Sequence, residues 1–439
     1  MDSVAAESGR VHRPVQSAVK TAAPRLPIEY SLLLTATLCL LAGGAVMVYS
    51  ASSSSVLSGG SGGTSDLIRF VVYGGIGLLV LRFAARVRLD VVRRLTGPLL
   101  GVAFLLLIAV KLPGLGHSTL GQHAQRWIGV GPLQFEPAEL MKLALVLYSA
   151  HVLSRGRPGA RNLRTALKRV ALVGGAACLL VGSQPDLGTT LVIAFALIAI
   201  VLTAGIPLKV LALTAVVGVG GVMLFTMAVP YAGARLTSFL NPWAHATQSG
   251  YQSVQSQIAV GSGGLLGRGP GQSVQKDFYL PEAPTDFILA VIGEELGFVG
   301  IAGLLLLYGL IAYAGMRTAR RAKGRYALLV AVGTTSLIVL QAALNVFAVL
   351  GIAPVTGVPL PFVSYGASNL LVMLAAMGLL LNVAGGGAAH LQAVRSTRDK
   401  KTRRSENART SEDRDRSRRD RRARGARLGG RRRAAGAGS

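Results

Sequence analysis

Charge is scarce in this chain, and acidic charge scarcest of all. Asp, Glu, Lys and Arg make up only 15% of the 439 residues, with 19 acidic against 46 basic. Apolar residues reach 51% and the mean hydropathy is +0.50. A water-soluble protein of this length needs far more charge to cover its surface, so a soluble class is excluded. There are two cysteines, Cys39 and Cys178, both in apolar runs, which excludes a disulfide framework or a thiolate metal centre and leaves packing as their role. The six histidines show no metal-ligand spacing. Ser364 has no His or Asp in a recognisable nucleophile motif, which argues against a serine hydrolase. No cleavable leader is legible: the first 27 residues are polar, so the first apolar run is expected to act as an uncleaved signal-anchor.

The net charge of +27 suggests nucleic acid, but its distribution does not. Residues 390–439 hold 18 Lys/Arg and 6 Asp/Glu with almost no apolar periodicity, which reads as a disordered basic tail. What the chain has in abundance is long apolar runs. About 20 such residues cross the roughly 30 Å of bilayer hydrocarbon. Ten candidates follow, near 28–50, 66–84, 95–112, 137–154, 170–183, 187–204, 208–228, 285–315, 327–350 and 366–387. The expected fold class is therefore an all-α polytopic membrane protein of about ten transmembrane helices. Its segments are a cytoplasmic stretch 1–27, a transmembrane domain 28–387 and a basic cytoplasmic tail 388–439. With the N-terminus inside, 39 of the 46 basic residues fall on the inner side, as the positive-inside rule requires. Both termini are then cytoplasmic, and one long extracytoplasmic loop, about 229–284, joins helices seven and eight. Loops of that length usually serve a function. The eighth run is too long for a straight span, so its first turns are expected to lie outside the membrane.

Carboxylates inside or beside apolar helices are costly and mark function unless structure neutralises them. The stretch YLPEAPTDFILAVIGEELG places Asp286, Glu294 and Glu295 at the mouth of the eighth run and within it. In QRWIGVGPLQFEPAELMK, Pro137 opens a helix and Glu139 lies in its first turn, with Lys142 three residues on along the same face. In SQPDLGTT, Asp186 follows a helix-breaking proline, either as an N-cap or as a partner for Lys142 across two helices. The outer loop carries Gly261, Gly263, Gly264, Gly267, Gly269 and Gly271, which permit close backbone approach. Irregular backbone is expected in PVTGVPLPFVSYGASNLL, from Pro354. Trp127 and Trp243 read as interface anchors, with sugar stacking as the alternative.

These motifs, in this order over roughly residues 28–387, resemble those of the SEDS family of polytopic cell-wall glycosyltransferases, nearest its FtsW branch. The resemblance rests on RWI…EPAE…K, QPDLGTT, the GYQ…GSGG…YLPEAPTDF series and SYGASN. Pro284 stands where the family usually has His, Asn241 replaces a common Asp, and Ala367 and Asn369 depart from its SYGGSS run. The resemblance implies a peptidoglycan glycosyltransferase that polymerises lipid II, a disaccharide-pentapeptide on undecaprenyl pyrophosphate, at the outer membrane face. A septal, cell-division role and a class B penicillin-binding protein partner follow, along with other division proteins and no nucleic acid. Inverting transfer needs a base for the attacking hydroxyl, and Asp286 is the candidate. Cations face the leaving pyrophosphate, with Arg126, Arg235, Arg268 and Lys276 available. The substrate-binding candidates are Arg126, Trp127, Lys142, Asp186, Arg235, Gln252, Lys276, Glu282, Glu295 and Ser364. A divalent cation (Mg or Mn) is a conceivable aid, but no ligand set is legible. Two other readings use the same residues differently: a lipid II flippase with Lys142, Asp186 and the glutamates along its path, and a scaffold recruiting division proteins through the tail.

Overall fold

The computed structural model describes residues 27–53, 62–112, 116–117, 125–130, 133–155, 161–205, 233, 237–277 and 279–386. Its helices are α1 (Ile28–Ser52), α2 (Gly62–Arg86), α3 (Leu89–Ala109), α4 (Pro137–Ser154), α5 (Arg161–Gly182), α6 (Leu187–Thr203), α7 (Tyr251–Gly263), α8 (Ile288–Arg321), α9 (Arg325–Val349) and α10 (Ala367–Ala384). Among the described residues, seven of them (α1, α2, α3, α5, α8, α9 and α10) are long and apolar enough to cross a membrane, and α6 is a shorter apolar helix. The chain is a multi-pass membrane protein. Every expected span except the seventh falls on a described helix; the seventh, 208–228, lies outside the described residues, as do the tail, nearly all of the N-terminal stretch, and Arg235.

Helix α9 is the hub, packing against α4, α6, α8 and α10. It is apolar on nearly every face, which fits a helix surrounded by others. Its two amide side chains, Gln341 and Asn345, are both buried. Helix α2 leans on α10 and turns Leu79 and Phe83 outward, as a helix facing lipid does. The fifth run begins at Arg161 rather than near 170, because the polar turns RNLRTALKR continue the helix before its apolar part.

Two features were not expected. Between α3 and α4 lies a small antiparallel sheet of β1 (Gly116–His117), β2 (Trp127–Val130) and β3 (Leu133–Phe135), in order β1-β2-β3 with Ile128 opposite Phe135. Strands of two to four residues are too short for alternation to be read from sequence. The described part of the long loop 229–284 also folds, with α7 packed on α8 and α9.

Helix α8 is broken at Gly297, where φ is 64° and ψ −161°, so the long eighth run is two helical pieces. A break at membrane depth strands backbone groups that nothing in lipid can satisfy. The Gly-rich loop supplies them. Arg268 N and Gly269 N donate to the carbonyls of Glu294 and Glu295 at 2.9 and 3.0 Å, while Phe298 N and Val299 N donate to Gly264 O and Leu265 O at 2.9 and 3.2 Å. The two chains pass so closely that a Cβ on Gly297 would lie 2.3 Å from Gly267 N, and one on Gly267 would lie 2.2 Å from Glu295 O. Gly297→Ala therefore meets both a backbone clash and a left-handed φ. We expect it to lower stability by about 1–2 kcal/mol from the dihedral alone, more from the clash, read as a lower melting temperature of the purified protein in detergent.

Candidate functional site

Asp286 sits two residues ahead of α8, on a turn that the sequence PEAPTDF builds. Glu282 adopts φ 57°, and its carbonyl accepts from the backbone N–H of Thr285, Asp286 and Phe287 at 3.2, 3.1 and 3.2 Å. The Glu282 carboxylate accepts from Thr285 Oγ1 at 2.9 Å. Leu280, Ala283 and Phe287 anchor the turn in the core while Asp286 stays partly exposed. Glu282 thus shapes the turn that carries the aspartate.

The irregular segment 354–366 wraps around this turn. Tyr365 N donates to Pro284 O at 2.9 Å. Asn345 Nδ2, from α9, donates to both Asp286 O at 2.7 Å and Val358 O at 2.8 Å. One turn earlier on the same face, Gln341 Nε2 donates to Pro359 O at 2.9 Å. A Cβ on Gly357, whose φ is 68°, would lie 3.4 Å from Asp286 Oδ2, so the carboxylate rests against bare backbone. A Cβ on Gly188, in the first turn of α6, would lie 2.4 Å from Thr356 O. The segment therefore gathers the ends of α6, α8 and α10 at one end of the bundle. Ser364 closes it from within: its hydroxyl accepts from Leu360 N at 2.8 Å, and Ser364 N donates to Leu360 O at 3.0 Å. Ser364 is buried and shapes the loop.

Behind this layer runs a sealed polar chain. Lys142 Nζ is 2.8 Å from Glu139 Oε1 and 2.7 Å from Gln341 Oε1. Asn369 Nδ2 reaches Glu139 Oε1 at 3.4 Å. Lys142, Glu139 and Gln341 are each at most 1% exposed. The expected pairing of Lys142 with Asp186 does not form. Lys142 turns along its own helix to Glu139, three residues back, while Asp186 Oδ1 caps α6 by accepting from Thr189 N at 3.0 Å. The capping geometry satisfies the carboxylate locally, so it has no need of a distant cation. Gln341 and Asn345 were not singled out from sequence. Two amides four residues apart in the apolar run SLIVLQAALNVF are the signal that marks them.

Arg126 lies over the α5–α6 turn, its Nε donating to Gln184 O at 2.9 Å and its Nη2 to Pro185 O. Trp127 follows on β2, and both are partly exposed. Gln252 is partly buried in the first turn of α7. The two in-helix carboxylates are neutralised by structure. Glu294 accepts from Ser273 Oγ at 2.6 Å and from Val274 N and Gln275 N at 3.2 Å each, and faces Arg268 at 3.3 Å. Glu295 accepts from Ser50 Oγ at 2.6 Å and forms a buried ion pair with Lys276 at 3.1 Å. Lys276 also donates to Gly271 O at 2.8 Å. Its ammonium is thus committed to holding the loop, and Glu295 with it.

Glu136, just before α4, lies beside Glu139 and Asp186. Burial raises its carboxyl well above the ordinary range, and repulsion from Glu139 and Asp186 adds to this, against Lys142 and Arg126. A carboxyl with a raised folded-state pKa binds its proton more tightly when folded. Its penalty is absent below the ordinary carboxylate pKa and grows as pH rises toward the raised value. Glu136→Gln should remove that penalty, so the variant's advantage in melting temperature over the wild type should widen from acid to neutral pH. Among the described residues, no group of three or more His, Cys, Asp or Glu side chains is placed to hold a metal ion.

A broken helix braced by a glycine-rich loop, with a polar site gathered at one end of a membrane bundle, defines the class. The chain belongs to the FtsW, RodA and SpoVE family: the family model described as "Cell cycle protein" matches residues 30–386. It is 40% identical over 352 residues to stage V sporulation protein E of Bacillus subtilis, covering 80% of this chain and 96% of that one. It is also 40% identical over 359 residues to a probable peptidoglycan glycosyltransferase FtsW of Coxiella burnetii, covering 80% of this chain and 95% of that one. Among solved structures it resembles a chain from a study of how a peptidoglycan synthase complex coordinates polymerization and crosslinking (TM-score 0.66, 31% identity, 80% and 96% covered). It also resembles the rod shape determining protein RodA of Thermus thermophilus (TM-score 0.59, 31% identity, 81% and 96% covered).

Proposed function

We propose that this protein is a peptidoglycan glycosyltransferase that polymerises lipid II at the outer face of the cytoplasmic membrane. The observation that carries this reading is the placement of Asp286. It is a partly exposed carboxylate at the membrane end of α8, fixed through its own backbone by Glu282 and Asn345. The family and its named relatives support the substrate class. Asp286 takes the proton of the sugar hydroxyl as it attacks the anomeric carbon. The pyrophosphate leaves with the bond electrons, and the glycosidic linkage inverts. Arg126 and Arg268 offer N–H groups at this end of the molecule for the departing phosphates. The undecaprenyl chain remains in the bilayer while the sugars meet the site at its edge.

The remaining assignments belong to the same reading. Both termini are cytoplasmic, the protein works at the division septum, and a class B penicillin-binding protein supplies the cross-linking. Arg235 and the basic tail, residues 388–439, lie outside the described residues, so the scaffold reading rests on sequence charge alone. The flippase reading gains little support. Glu139 and Lys142, within the bundle, are paired and shut from solvent, and Glu295 is paired with Lys276, whereas a transporter needs an accessible midplane site.

Labelled lipid II mixed with the purified protein in detergent separates the two, because a flippase has no membrane to work across there. Glycan strands, made alone or on adding the penicillin-binding partner, are the expected product. Unchanged lipid II in both mixtures would point to transport.

A further inference from the structure

At the end of the bundle away from Asp286, a cavity of about 210 Å³ opens between the ends of five helices. One wall is apolar: Pro27, Leu89, Ala327 and Val383. The other is charged. Glu29, only 3% exposed, is held by Arg317 Nε at 2.8 Å and Arg321 Nη1 at 2.5 Å. One carboxylate is thereby shared between two guanidiniums whose side chains remain 43% and 59% exposed. Arg321 and the exposed Lys323 both line the cavity, while Arg317 reaches Glu29 from outside its lining. Thr318 also lines the cavity, and its buried hydroxyl has no hydrogen-bond partner among the described residues.

Two cations on the lining, Arg321 and Lys323, against one acid that Arg317 also helps to neutralise, favour an anion. A wall of bare aliphatic surface beside exposed Ile28, at a membrane boundary, favours an anion that carries a hydrocarbon chain. The chain's own basic tail, which follows shortly after Gly386 on the rim, has the same sign as the cavity and is disfavoured as its occupant. We propose that this cavity binds the phosphate headgroup of an anionic phospholipid, with the acyl chains lying along α1. This site is separate from the glycan chemistry and stands whether or not the proposed activity is correct.

The test uses the purified full-length chain in zwitterionic detergent, a photoactivatable phosphatidylglycerol and peptide mapping of the adducts. Labelling is expected at the ends of α1, α8 and α10. Unlabelled phosphatidylglycerol should suppress it, while phosphatidylcholine or inorganic phosphate at equal concentration should not. Lys323→Gln should weaken competition at these sites about fivefold, the effect of one basic residue near an anionic headgroup, and Lys323→Arg should restore it. Lys323 is exposed and has no hydrogen bond or ion pair among the described residues, so a folding failure is not expected; melting temperatures check this. Adducts confined to residues 388–439, equal suppression by phosphatidylcholine or by phosphate, or an unchanged Lys323→Gln would each overturn the proposal.

Discussion

Replacing Asp286 with Asn is expected to abolish glycan synthesis while leaving the protein folded and able to bind lipid II. The side chain keeps its size and still fits beside Gly357, whose built Cβ would come within 3.4 Å of Asp286 Oδ2. The contacts that fix the turn are made by backbone atoms, from Asp286 N to Glu282 O and from Asn345 to Asp286 O, so they survive the change. The substitution takes away the negative charge and the basicity of the carboxylate. Loss of a general base lowers turnover on the order of 10²- to 10⁴-fold. Initial rates with labelled lipid II, read beside melting temperature and lipid II affinity of the same sample, check it. A variant that binds lipid II normally and polymerises within a few-fold of wild type would remove Asp286 from the chemistry.

Replacing Lys142 with Met is expected to have the largest effect on stability. Lys142 is buried and joined to Glu139 and Gln341. Its removal leaves the Glu139 carboxylate uncompensated among apolar side chains, and Glu139 Oε2 already has no partner among the described residues. Breaking a buried pair from one side costs about 3–5 kcal/mol. The double variant Lys142→Met with Glu139→Gln removes both charges and should recover most of that loss. A double-mutant cycle by thermal melting in detergent should give a large coupling energy for these two residues. The cycle of Lys142→Met with Asp186→Asn should be close to additive, because Asp186 serves α6 as its cap.

The membrane class and the apolar runs that become helices were legible because a bilayer demands about 20 apolar residues per crossing, a signal that survives without any contact being known. Asp286 stood out for a similar reason, as an acid at the mouth of an apolar run. What sequence did not yield was which charges meet. Lys142 has Glu139 on its own helix and Asp186 on another within the same motif set, and spacing cannot decide between an i,i+3 pair and a long-range one. Glu294 and Glu295 looked functional for their cost in lipid. The cost is met by Ser50, Ser273 and Lys276, lying 19 to 245 positions away in sequence, a distance no local pattern spans. Gln341 and Asn345 were overlooked because amides in apolar helices are common enough to pass as packing. Only their hydrogen bonds to segment 354–366 show what they hold. The excess length of the eighth run points equally to first turns outside the membrane; the break at Gly297 rests on the Gly-rich loop that braces it, which the run itself does not reveal.

The most direct test of where the chemistry occurs is to trap lipid II on the protein. A lipid II analogue with a photoreactive group on its sugar, bound to the full-length Asp286→Asn chain and mapped by mass spectrometry, should label peptides carrying residues 280–287, 354–366 and 125–127, which surround Asp286 and Arg126. Labelling concentrated instead on α4 around Glu139 and Lys142, with the Asp286 turn unmarked, would contradict the account and favour a path through the bundle.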